Sequence, residues 1–145
     1  MTMKPKILNI LLVEDSQEDI DLMREALKGS AVLNDVHVAQ NGQEAMDYLR
    51  DPSTSKPNIV LLDLNMPKKN GRQVLQEIKS DPSLRVIPVI ILTTSRSQND
   101  VHECYLHHCN CFIWKPIDLE GFFSVVRKIE DFWFNFVELP APPAA

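Results

Sequence analysis

Five side chains carry the chemistry this sequence can do. Glu14 and Asp15 are adjacent carboxylates, Asp63 is a third, Thr93 brings a hydroxyl and Lys115 an ammonium. They stand at the ends of four apolar runs, Ile7–Val13, Ile59–Leu62, Val89–Leu92 and Phe112–Trp114, with Glu14 and Asp15 together after the first. Three carboxylates brought close together cannot all stay ionised unaided, because each raises the pKa of its neighbours. A hard divalent cation relieves that repulsion. An all-oxygen donor set favours Mg²⁺, with Mn²⁺ as the alternative, over Zn²⁺. A carboxylate facing a cation, an ammonium and a hydroxyl is suited to accept a phosphoryl group. In that reading Asp63 is the nucleophile and forms an aspartyl phosphate, Lys115 and the cation neutralise the phosphoryl oxygens, and Thr93 hydrogen-bonds one of them.

Those groups converge only if the apolar runs are strands of one parallel sheet. Continuous apolar runs such as Ile59–Leu62 and Val89–Leu92 fit strands buried on both faces. Between them lie amphipathic stretches at helical spacing. Ser16 is a plausible helix N-cap with Asp19 three residues on. Ile20, Met23, Ala26 and Leu27 follow, and Gly29 stops the run. Val36–Ala39 reads as a short strand, and Ala45, Met46 and Leu49 mark the next helix beyond the Asn41-Gly42 turn. Val74, Leu75 and Ile78 mark a third, Asp100–His107 a weaker fourth, and Leu119 to about Phe136, capped by Asp118, a long fifth. Five strands alternating with five helices predict an open parallel α/β sheet with right-handed crossovers. In such a sheet every strand C-terminus opens on one edge, where this class of fold binds its ligands.

The segments Leu11–Ser16 (LLVEDS), Leu61–Gly71 (LLDLNMPKKNG), Val89–Ser95 (VIILTTS) and Phe112–Pro116 (FIWKP) resemble the receiver domain of two-component response regulators. The resemblance covers about Ile7 to Glu130. It implies a flavodoxin-like, CheY-like five-stranded sheet of order 2-1-3-4-5 with helices on both faces. It also implies a role for each matching residue. Asp63 is the phosphoacceptor, Glu14 and Asp15 the metal-binding acids, and Asn65 the residue whose backbone carbonyl also binds the metal. Thr93 and Phe112 are the switch pair, Lys115 contacts the phosphate, and a cis peptide joins Lys115 to Pro116. The implied donor is a histidine kinase. The Thr93-Thr94-Ser95 run, the lack of an output domain and the aromatic last helix are most similar to the small regulators paired with cyanobacterial and bacterial phytochromes, which implies a light-regulated kinase.

The remaining features bound the reading. At 145 residues, 44% hydrophobic and 24% charged, the chain is expected to be one globular domain over residues 1–138 with a Pro/Ala-rich tail over 139–145. A net charge of −5 makes it a poor nucleic-acid binder. No apolar run is long enough to span a membrane, and the stretch Met1–Val13 runs into Glu14-Asp15 without a signal-peptide cleavage site. Three clustered cysteines argue against a disulfide framework and fit the cytoplasm. The run Cys104–Cys111 (CYLHHCNC) has soft-ligand density, but half helix and half turn is a poor route to tetrahedral zinc. On the last helix, Phe122, Val126, Ile129, Trp133 and Phe136 form the core stripe. Phe123, Phe132 and Phe134 then lie off it and predict a homodimer through the face of helix 4, strand 5 and helix 5. An unidentified downstream protein would read the switched surface.

Competing readings each meet an obstacle. A small haloacid-dehalogenase-type phosphatase needs an acid two residues after its nucleophile, where this chain has Asn65. A flavodoxin-like cofactor binder needs a phosphate-binding first turn, where Glu14-Asp15 stand. A receiver-fold adaptor indifferent to phosphate would not need the complete set of site residues. The expectation is therefore a signalling protein that catalyses its own phosphotransfer and slow dephosphorylation, rather than an enzyme acting on other substrates.

Overall fold

In a computed structural model, which describes residues 7–143, the elements run β1 Leu8–Val13, α1 Gln17–Lys28, β2 Asn34–Ala39, α2 Gly42–Arg50, β3 Ile59–Leu62, α3 Gly71–Ser80, β4 Val89–Thr93, α4 Gln98–Leu106, β5 Cys111–Trp114 and α5 Leu119–Ile129. A π-helical segment, Glu130–Phe136, continues α5. The strands form one parallel sheet in the order β2-β1-β3-β4-β5. The outermost residues of the chain, including Ala144 and Ala145 of the expected tail, lie outside the described range. No described helix is long and apolar enough to cross a membrane.

Period-two alternation divides the central strands between two cores. Leu11, Val13, Val60, Leu62, Val89 and Ile91 pack with residues of α2, α3 and α4 on one face. Ile10, Leu12, Ile59, Leu61, Ile90 and Leu92 pack with residues of α1 and α5 on the other. Because β1, β3 and β4 are covered on both sides, their polar residues appear only where the strands end, at the sheet's C-terminal edge.

Several boundaries differ from the sequence reading. β2 starts at Asn34, two residues early, pairing with Leu8 of β1. α4 starts at Gln98, because Ser97 is the N-cap and accepts a hydrogen bond from the Asp100 amide at 3.3 Å. The run Cys104–Cys111 proves to be the last turn of that helix, its cap and the first residue of β5. His108 adopts a left-handed φ of 67°. Its amide donates to the Tyr105 carbonyl and the Cys109 amide to the Cys104 carbonyl, both at 3.0 Å. This is the paired bonding of a Schellman cap. Cys104 and Cys109 are its buried apolar pair.

The last helix is corrected most. It is α-helical only to Ile129, and beyond that the bonding widens to i→i+5, as in the 2.9 Å bond from the Val137 amide to the Phe132 carbonyl. The wider turn re-aims the later side chains. Phe136, expected in the core, is 80% exposed, while Phe134, expected outside it, packs on the core beside Trp133.

Gly71 opens α3 where the helix crosses the start of the β3–α3 loop. Its amide donates to the Leu64 carbonyl at 3.0 Å, closing that loop. A Cβ here would overlap the Asp63 carbonyl oxygen and lie 2.7 Å from the Leu64 Cα. Helix propensity alone favours Gly→Ala by about 1 kcal/mol. Overlap with backbone reverses that sign, at a cost of roughly 1–3 kcal/mol or more. Gly71→Ala is therefore expected to lower stability by about 2 kcal/mol, read as a lower urea midpoint at unchanged slope.

Candidate functional site

Strand geometry sets the backbone of the site. The Asp63 amide donates to the Val13 carbonyl at 3.0 Å and the Glu14 amide to the Ala39 carbonyl at 3.0 Å, extending the β1 pairings by one residue. The Lys115 amide donates to the Thr93 carbonyl at 2.7 Å. The residues that follow β1, β3 and β5 and the last residue of β4 are thus fixed side by side. Carboxylate oxygens of Glu14, Asp15 and Asp63 lie within 4.8 Å of one another. Asp15 is exposed, whereas Glu14 and Asp63 are buried.

The buried charges have unequal partners. Lys115 Nζ donates to Glu14 Oε1 at 2.6 Å and to Asp19 Oδ2 at 2.8 Å. Burial pushes the Glu14 carboxyl up to about 7 against the pull of the Lys115 ammonium, and the Asp63 carboxylate pushes the same way. Burial alone would depress Lys115, but its bonds to Asp19 and Glu14 outweigh it and hold the ammonium above the usual lysine range. Asp63 Oδ1 is buried with no hydrogen-bond partner in the protein. An orphaned oxygen among three clustered carboxylates fits a divalent cation, which Glu14, Asp15 and Asp63 would hold.

Thr93 is fully buried, and its hydroxyl oxygen accepts from the Ser95 amide at 3.3 Å. Ser95 Oγ donates to Asp100 Oδ2 at 2.5 Å, and Arg72 of α3 pairs with Asp100 Oδ1. Phe112 is half-buried against the core of α2, α3 and α4, in register with Ile91. Asn65 is exposed and lines an open depression with Asp15, Asn70 and Arg72. The expected cis bond is corrected: described peptide bonds are all trans, Lys115–Pro116 included. Trans is the commoner form even before proline.

Among the described residues, the metal-ligand grouping is the three carboxylates alone, and no cysteine or histidine of CYLHHCNC joins one. Burial pushes the Cys104 thiol up to about 12 and the Cys109 thiol up to about 11. At neutral pH both are therefore thiols acting as small apolar groups. Of the expected interface aromatics, Phe132 is 48% exposed, while Phe123 and Phe134 are half-buried. Phe132 instead borders an apolar groove with Cys111, Ile113, Val125 and Trp133.

Sequence reasoning missed two features. Asp19 sits where a capping partner is expected, and its amide does donate to Ser16 Oγ at 3.3 Å, but its carboxylate turns to Lys115. The Ser95–Asp100–Arg72 chain links three elements and left no local signal beyond residue type.

A model of the family described as "Response regulator receiver domain" matches residues 10–127. The response regulator Rcp1 of Synechocystis sp. is 45% identical over 141 residues, covering 94% of this chain and 95% of its own. The crystal structure of its Mn²⁺-bound form matches with a TM-score of 0.90, at 44% identity over 92% of this chain and 99% of that one. The structure of the phosphorylated cyanobacterial phytochrome response regulator RcpA matches with a TM-score of 0.91, at 46% identity over 94% of this chain and 100% of that one.

If like-charge crowding limits this site, removing one charge stabilises the fold. Asp63→Asn is expected to raise stability in chelator by about 1–3 kcal/mol, the scale of one like-charge contact between water-like and surface dielectric. Millimolar Mg²⁺ or Mn²⁺ should raise the wild-type melting temperature by mass action and move the variant's less. Thermal melts with and without cation check both.

Proposed function

The chain belongs to the response regulator receiver domain family, and from that premise we infer that it accepts a phosphoryl group on Asp63 from a histidine kinase. Asp63 Oδ1 carries this reading: it is the one oxygen of the cluster that is buried and unpartnered, in a site that also holds the Lys115 ammonium and two further carboxylates. A carboxylate oxygen of Asp63 attacks phosphorus, the P–N bond of the phosphohistidine breaks, and the imidazole leaves. Lys115 and Thr93 meet the phosphoryl oxygens. Glu14, Asp15 and Asp63 would hold Mg²⁺, which when bound would supply positive charge for the transferring group. The Asn65 carbonyl is proposed to complete that coordination. The resemblance to RcpA and Rcp1 supports a light-regulated kinase of the phytochrome type as donor, acting on a cytoplasmic receiver unit spanning residues 1–138.

The hydrogen bonds around Thr93 supply a route outward. When Thr93 Oγ1 turns to the phosphoryl group, the Ser95 amide loses its acceptor. The Ser95–Asp100–Arg72 chain then loosens α4 from α3. Phe112 takes the space Thr93 leaves, and the face formed by α4, β5 and α5 changes. That face is proposed to bind a second copy of the chain through Phe132 and the groove beside it, and to present the altered surface to a downstream protein.

Two experiments test this. Intact-mass spectrometry after incubation with Mg²⁺ and acetyl phosphate should show a phosphoryl adduct on wild type and none on Asp63→Asn; an adduct on both moves the acceptor elsewhere. Sedimentation velocity on Phe132→Ser should show a shift toward monomer relative to wild type. An unchanged distribution removes the α5 face as the dimer contact.

A further inference from the structure

Lys115 serves the reaction only if its ammonium stays where the phosphoryl oxygens arrive. A lysine ammonium sits on a flexible four-carbon stem and has three donors. Two of them are occupied here, by Glu14 Oε1 at 2.6 Å and Asp19 Oδ2 at 2.8 Å. The third is left for a phosphoryl oxygen.

The two carboxylates are not equivalent. Glu14 belongs to the group of three whose oxygens lie within 4.8 Å, so a cation competes with Lys115 for it. Asp19 is outside that group. It stands in the first turn of α1, where its amide is held by the Ser16 cap, and its side chain is 28% exposed while that of Lys115 is 6% exposed. Asp19 thus ties β5 to α1 with a carboxylate that has no competing demand. It also lines the same small cavity as Glu14, Asp63 and Lys115.

We propose that Asp19 is a positioning residue for phosphoryl transfer, acting through Lys115: it keeps the ammonium at the site when Glu14 is drawn to the cation. The proposal rests on the reading of Asp63 as acceptor. It adds to the expected side chains an acid that neither reacts nor binds the metal.

The test is a double-mutant cycle on the rate of phosphorylation by acetyl phosphate at saturating Mg²⁺, followed by intact mass. Asp19→Asn keeps side-chain size and leaves the Ser16 cap intact, because the cap uses the Asp19 backbone amide. The expected result is a rate about five- to tenfold below wild type, the scale of one charge-assisted hydrogen bond felt in the transition state. In a Lys115→Ala background the same substitution should have no further effect. An Asp19→Asn rate equal to wild type, or effects that multiply in the double variant, overturns the proposal while leaving Asp63 as acceptor. No adduct on wild type overturns both.

Discussion

The site is organised by one ammonium buried between carboxylates. Without Lys115, the closed end of the sheet would hold Glu14 and Asp63 as buried charges facing each other, with Asp15 close by. Removing one partner from such a buried pair costs about 3–5 kcal/mol, because the other is left uncompensated. Even with Lys115 in place the balance is incomplete: at Glu14 burial, helped by the Asp63 carboxylate, outweighs the pull of the ammonium, and one Asp63 oxygen has no partner in the protein. The protein holds unresolved negative charge at one point, and that deficit is what makes the point receptive to a cation. The parallel sheet is what allows it: only strands sharing one direction deliver polar residues from β1, β3, β4 and β5 to one edge.

Much of this was legible in the chain itself. Apolar runs ending in Glu14, Asp63, Thr93 and Lys115 are signals of the shortest range, one strand and the residue after it, and the sheet turns them into a site without any further information. The N-caps at Ser16 and Asp118 were equally local and are present as read. What escaped depended on longer range or on backbone pitch. Asp19 looked complete as a capping residue, and only the placement of β5 against α1 gives its carboxylate a different partner. Arg72 and Asp100 are 28 positions apart, and neither carries a periodicity that would pair them. The α-to-π change at Glu130 has no residue signature among aromatics that suit either pitch.

The loops show how much of the site depends on backbone rather than side chains. Gly71 lies against the carbonyl of Asp63 itself, and Gly42 donates to the Lys69 carbonyl at 3.0 Å from the start of α2. These two contacts hold the β3–α3 loop between two helix starts. Lys68, in that loop, takes a left-handed φ of 62° that a β-branched residue would resist. Asp63 is therefore presented by a segment clamped at both ends, while the β4–α4 loop opposite is held by side-chain bonds that can be exchanged. One side of the site is held through the backbone and the other through side chains.

The π-helical end of α5 has an implication for comparing this chain with its relatives. Which aromatic ring meets solvent there is decided by how many residues complete a turn, not by which residues they are. Winding the same residues at α pitch would bring Phe136 back toward the core and turn Phe134 outward, with every ring unchanged in type. Two receivers with identical aromatic content at this end can thus offer unlike surfaces. Aligning them by residue identity would miss the difference, whereas aligning them by hydrogen-bond register would reveal it.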